Sequence, residues 1–146
     1  MNHLPIAFFG LKNHKEFLAG IQQAVNSIDY QDGIYAGDNL FTYNRNLSFL
    51  EDAKLMESHA KHSQTQIEDS ILWRIYVVAW GALNGMRLGE GDFVECACYK
   101  GMTARIVCDY LDFSQHPDRH YYLYDLFDIY QKHKKDELFD LSYLFG

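Results

Sequence analysis

The stretch from residue 93 to residue 124 restricts the fold more than any other part of this 146-residue chain. It opens on a short apolar run, DFVECAC at 92–98, set between a glycine-rich turn and Gly101. A run this short, carrying Phe93 and Val94, reads as a buried strand rather than a helix. Residues 102–111 return to helical spacing, with Ala104, Val107, Cys108 and Leu111 on one side. A loop at 114–119 contains Pro117, and a second apolar run at 120–124 ends at Asp125. Strand, helix and strand in succession make one βαβ unit, with parallel strands and a right-handed crossover.

Upstream, the pattern is helical. Asn13 suits the cap of a first helix, whose face carries Phe17, Ile21, Val25 and Ile28. Asp32-Gly33 and Gly37-Asp38 are turn chemistry. A second helix is expected from Asn44 or Asn46, with Leu47, Leu50, Ala53 and Met56 in phase, and the polar segment 59–66 is expected to loop. A third helix is expected over 68–86. Leu72, Ile75, Tyr76, Ala79, Leu83 and Met86 form its stripe; Trp73, Val77 and Trp80 widen it, so burial on most sides is expected. The expected class is therefore α/β, with N-terminal helices over 1–88 followed by the first βαβ unit of a parallel sheet over 89–146. The two form one continuous structural unit, and the sheet is incomplete at the C-terminus.

Several function classes are disfavoured. A net charge of -7 opposes phosphate neutralisation, so nucleic acid is not an expected partner. Lys132, Lys134 and Lys135 read as a solvated helix face. The longest apolar stretch, 71–86, is interrupted by Arg74, Gly81, Asn84 and Gly85, so no membrane span is expected. The apolar residues 4–10 are too few for a signal peptide. Three cysteines, Cys96, Cys98 and Cys108, do not make a disulfide framework and suit a reducing cytoplasm. His59 with His62, and His116 with His120, lack the further partners of a metal site and are expected to be solvated. A Cys–His120 nucleophile and an Asp125–Asp128 carboxylate pair are set aside for simpler roles.

The chemistry points to the strand ends. Ligands of parallel α/β sheets bind beyond the carboxyl ends of strands. Glu95 closes the first expected strand, and the turn Cys96-Ala97-Cys98-Tyr99-Lys100-Gly101 feeds a helix start that favours anionic groups. Asp125 ends the second strand and has the chemistry to accept two ribose hydroxyls. The sketch is an adenosine-bearing ligand across the two ends. The turn is neither GxGxxG nor a P-loop.

GDFVECACYKGMTARIV followed by YYLYDLFD resembles the first cofactor motifs of class I S-adenosylmethionine-dependent methyltransferases. It is most similar to the TylF-like macrolide-sugar O-methyltransferase family, whose GDFVECGV stretch precedes an FDSFEG stretch. GDNLFTYNRNLSFLEDAKLMESHA and the helix from Trp73-Arg74 to Gly81-Ala82 resemble that family's N-terminal region, so the likeness spans roughly 34–128. The resemblance implies a Rossmann-like sheet and S-adenosylmethionine as cofactor. It implies that Glu95 orders the cofactor loop and that Ala97 to Gly101, with Tyr99 and Thr103, contact the methionine moiety. It also implies that Asp125 holds the ribose and Phe127 covers the adenine. Ala97 stands where the family has its first glycine, and Met102 where small residues are common.

The activity implied is methyl transfer to an oxygen of a small molecule or sugar. The segment that in the family supplies acceptor site, catalytic base and any divalent metal ligands is expected to be missing, so no catalytic residue is assigned. The alternative is an inactive truncated relative acting as a binding or oligomerisation module, and a third class is another nucleotide-binding α/β protein. Expected partners are a small-molecule acceptor and a second copy or completing chain, with no nucleic acid and no membrane.

Overall fold

The computed structural model describes residues 1–29 and 32–125, which form a mixed α/β arrangement. Helix α1 (His14–Asn26) starts where Asn13 caps it, the side chain accepting the Glu16 N–H. Its apolar face is present, yet none of its residues is buried. Phe17 meets Phe8 edge to face at 5.0 Å.

The region 1–88 is not purely helical. Strands β1 (Tyr35–Gly37) and β2 (Leu40–Thr42) form an antiparallel hairpin. Its two-residue turn, Asp38-Asn39, has φ values of 51° and 56°. Positive φ at both positions is what a twisted hairpin demands, and Asp and Asn tolerate it better than bulkier residues. Strands of three residues leave no alternation to read, so only the turn chemistry was visible in the sequence. Two glycines hold the hairpin in place. A Cβ on Gly33 would sit 2.3 Å from the Arg45 carbonyl oxygen, and one on Gly37 would sit 2.8 Å from Pro5 Cγ.

The helices also differ from expectation. The second begins at Ala53 rather than near Asn44, because Asp52 accepts the Leu55 N–H at 3.1 Å and so caps α2 (Ala53–His62). Residues Ser48–Glu51 make a short 3-10 turn before it. The segment expected to loop from 59 is helical as far as His62, and His59 is buried. The third expected helix is split into α3 (Gln66–Ser70) and α4 (Leu72–Arg87). At the split, the buried Tyr35 hydroxyl donates to the Ser70 carbonyl at 2.7 Å and accepts the Trp73 N–H at 3.1 Å. Helix α4 is buried on one side only: Leu72, Ile75, Ala79 and Ala82 face inward, whereas Trp80 is 59% exposed.

Strands β3 (Phe93–Cys96) and β4 (Tyr121–Tyr124) pair in parallel, Phe93 opposite Tyr121 and Cys96 opposite Tyr124. Helix α5 (Met102–Tyr110) makes the crossover and lies against α2 and α4. One core joins Tyr35, Leu47, Phe49, Leu55, Leu72, Ile75, Ala79 and Ile106. A second joins Ala82, Val107 and Leu111, with Phe93 and Tyr121 packed on it. Contrary to expectation β3 is not buried. Phe93 and Glu95 are partly covered, while Val94 is 63% exposed on the opposite face. Among the described residues, no helix is long and apolar enough to cross a membrane.

Removing the Tyr35 hydroxyl leaves one buried acceptor and one donor without their partner. Tyr35→Phe is expected to lower stability by about 1–3 kcal/mol in urea unfolding. The same change at exposed Tyr43 is expected to have little effect.

Candidate functional site at the ends of β3 and β4

Residues 97–101 leave β3 through a backbone that is left-handed at every second residue. Ala97 has φ 61°, Tyr99 50° and Gly101 70°. Such a conformation costs a non-glycine residue about 1–2 kcal/mol, so fixed contacts must hold it. The Ala97 N–H donates to the Tyr124 carbonyl at 2.8 Å, and the Gly101 N–H donates to the Cys98 carbonyl at 2.7 Å. Arg105 Nη2 donates to the Lys100 carbonyl at 2.6 Å. The Tyr99 N–H donates to the Asp125 carboxylate, which reaches across from the neighbouring strand. Gly101 is the N-cap of α5 and brings no capping side chain.

The loop residues Ala97, Tyr99 and Gly101 therefore meet Asp125 at one mouth, and Thr103 lies in the first turn of α5 beside it. Ala97 adopts the left-handed backbone that a glycine would favour, so the loop keeps that shape without the glycine. Glu95 stands one residue before the end of β3, and its charge acts on Cys98 of the loop. Its carboxylate accepts the Tyr121 hydroxyl at 3.1 Å. Burial pushes the Glu95 carboxyl above its ordinary range, partly offset by that hydrogen bond. Burial and the Glu95 charge likewise push the Tyr121 phenol up. Phe127 and Asp128, like Lys132, Lys134 and Lys135, lie outside the described residues.

An open cleft of about 420 Å³ runs beside the loop. Tyr99, Lys100 and Gly101 form one wall, Ala104, Arg105 and Cys108 of α5 another, and Tyr121 and Leu123 the floor. The Lys100 ammonium lies 5.3 Å from the centroid of the Tyr99 ring. His62 and Asp109 also line this cleft. His62 Nε2 donates to Asp109 Oδ2 at 2.8 Å, and Lys61 Nζ donates to the same oxygen at 2.7 Å. The Lys61 and His62 hydrogen bonds hold the Asp109 carboxyl below the usual range.

The histidines are thus not simply solvated. His59 is buried with its ring 3.3 Å from the Glu68 carbonyl oxygen, His62 pairs with Asp109, and exposed His120 lies 3.5 Å from Asp92. No sequence pattern flags His62 and Asp109, which are 47 positions apart and meet only because α2 packs on α5. Among the described residues, no group of three or more His, Cys, Asp or Glu side chains converges as a metal site would require. Cys96 is exposed and Cys98 buried. Burial, with the charges of Asp125 and Glu95, pushes the Cys98 thiol up, away from nucleophile chemistry.

A carboxyl whose pKa is raised on folding makes the native state bind the proton more tightly. Its ionisation therefore costs stability once the pH rises through the folded pKa. Glu95→Gln keeps an acceptor for Tyr121 and removes that charge. Thermal melts are expected to show Glu95→Gln more stable than the parent at pH 7, with the difference vanishing as the pH falls to the ordinary carboxyl range.

No protein-family model, no curated protein and no solved structure matches this chain.

Proposed function

We propose that this chain binds S-adenosylmethionine at the ends of β3 and β4, as the opening βαβ unit of a Rossmann-like sheet, in the service of methyl transfer to an oxygen of a small molecule. One observation carries the reading: Asp125 closes on the Tyr99 N–H. It places an acid of the second strand, the left-handed loop of the first and the α5 start, which lacks a capping side chain, at a single mouth between two parallel strands. That is the position at which open parallel sheets take nucleotides. The donor set suits the ligand. A carboxylate accepts from ribose hydroxyls, the amides at the α5 start favour the methionine carboxylate, and the cleft beside Tyr99 has room for more. Bound there, the cofactor supplies a methyl group already activated on sulfonium sulfur. The chain's own part is to hold and orient it. The free thiols suit the reducing cytoplasm as the site of action.

Calorimetric titration with S-adenosylhomocysteine tests this reading. Saturable binding is expected, weakened about tenfold or more by Asp125→Ala through loss of charge-assisted hydrogen bonds. A folded chain that takes up no ligand overturns the reading.

A second reading, a binding or oligomerisation module, has its own support. Val94, Cys96, Tyr122 and Tyr124 share one exposed face of the β3–β4 sheet, Tyr124 at 59%. Open apolar sheet faces mark association surfaces. Sedimentation of the 17.1 kDa chain is expected to report a dimer or larger species. Paired changes Val94→Lys and Tyr122→Lys are expected to return it to monomer. A parent that is monomeric throughout removes this reading and leaves cofactor binding standing.

A further inference from the structure

The cleft beside the loop holds a feature that cofactor binding does not use. His62 stands at the last turn of α2 with its side chain 14% exposed, lining the cleft, and its Nε2 hydrogen is committed to Asp109 Oδ2. Asp109 is held ionised by Lys61 as well as by the ring. In a neutral ring, an ionised carboxylate on one nitrogen fixes the tautomer and leaves the lone pair on the other, Nδ1. This is the arrangement by which a carboxylate orients an imidazole that takes a proton. The rest of the cleft fits a small carbon skeleton. Leu123, Ala104, Cys108 and the Tyr121 ring are largely apolar, and about 420 Å³ lies within the size of small-molecule sites.

We propose that this cleft receives a small hydroxyl-bearing molecule, that His62 Nδ1 accepts the hydroxyl proton, and that Asp109 positions the ring. The proposal rests on the cofactor reading above and names the acceptor class for the same site. The electrons balance: the hydroxyl proton passes to Nδ1, and an oxygen lone pair forms the new O–C bond. The S–C bond of a sulfonium donor breaks with its pair left on sulfur, giving a neutral thioether. His62 belongs to the reacting atoms, and Asp109 is a positioning residue.

The test uses the full chain with 15N-labelled histidine, saturated with S-adenosylhomocysteine, and two probes. Phenol carries a hydroxyl on a small apolar ring, and anisole is the same ring with the hydroxyl proton replaced by methyl. Phenol is expected to shift the His62 Nδ1 resonance, and anisole to leave it unmoved. His62→Gln retains an amide donor for Asp109. It is expected to weaken phenol binding about tenfold, the loss of one net hydrogen bond, with S-adenosylhomocysteine affinity unchanged. Asp109→Asn is expected to redistribute the ring tautomer and weaken phenol similarly. A pair that only ties α2 to α5 lowers the melting temperature in Asp109→Asn and responds alike to both probes, and that result overturns the proposal. If S-adenosylhomocysteine binds and His62 ignores phenol, this inference alone falls. If S-adenosylhomocysteine does not bind, the cofactor reading falls and takes this inference with it.

Discussion

The Tyr35 side chain is the contact on which the N-terminal half turns. It touches three segments at once: the hairpin that carries it, the α3–α4 break, and the first residues of the chain through the stacked His3 ring, which backbone hydrogen bonds such as Ala36 N–H to the His3 carbonyl also tie to the hairpin. Its hydroxyl acts in both directions, giving a hydrogen to Ser70 and taking one from Trp73. The backbone groups freed by ending α3 and starting α4 are thereby satisfied without water. The ring meets Trp73 edge to face at 5.2 Å, and Trp73 in turn meets Phe49 at 5.4 Å. That aromatic chain sets the height of α4, whose inner face supports α5. Tyr35 of the hairpin and Ile106 of α5, the helix that follows the loop, thus share one core.

The loop itself joins strain and charge. Two non-glycine residues sit in left-handed backbone, and one of the contacts that hold them is the Asp125 carboxylate, a group with the chemistry to bind a ligand. Under the proposed function, ligand hydroxyls would draw on the carboxylate that accepts the Tyr99 amide. Binding there would be coupled to loop geometry, because whatever Asp125 gained from a ligand would change how firmly it grips the loop. Glu95, inside β3, is a second carboxylate near the loop. Its charge is partly desolvated and answered by one phenol, an arrangement that structural needs alone do not favour.

Much of this was legible from residue order, for identifiable reasons. The parallel βαβ unit could be read because its two apolar runs, its intervening helical period and Gly101 fall in one short stretch. The α1 cap at Asn13 could be read because capping is local. The hairpin could not, since strands of three residues show no period. The α2 boundary was displaced because Leu47 and Leu50 keep a helical phase while Asp52 sets the cap. Burial of α4 was overread because Val77 and Trp80 are apolar, and an apolar residue on a helix does not by itself say that a neighbour covers it. Within the site, the loop and Asp125 were visible as neighbours of strand ends. Glu95 falls at the C-terminal end of β3, one residue before Cys96, and the His62–Asp109 pair depends on helix packing that no local pattern encodes.

The two hairpin glycines set a limit on how this chain can diverge. At Gly33 a side chain would collide with backbone, which cannot rotate away, and φ is positive there as well. At Gly37 the obstruction is Pro5 and the Ser70 carbonyl, on the strand next to Tyr35. Gly20 and Gly81 meet nothing within 4 Å and are free to drift. A lineage descended from this fold would thus keep its memory in two small residues far from any chemistry, while its loops and helix surfaces were rewritten around them.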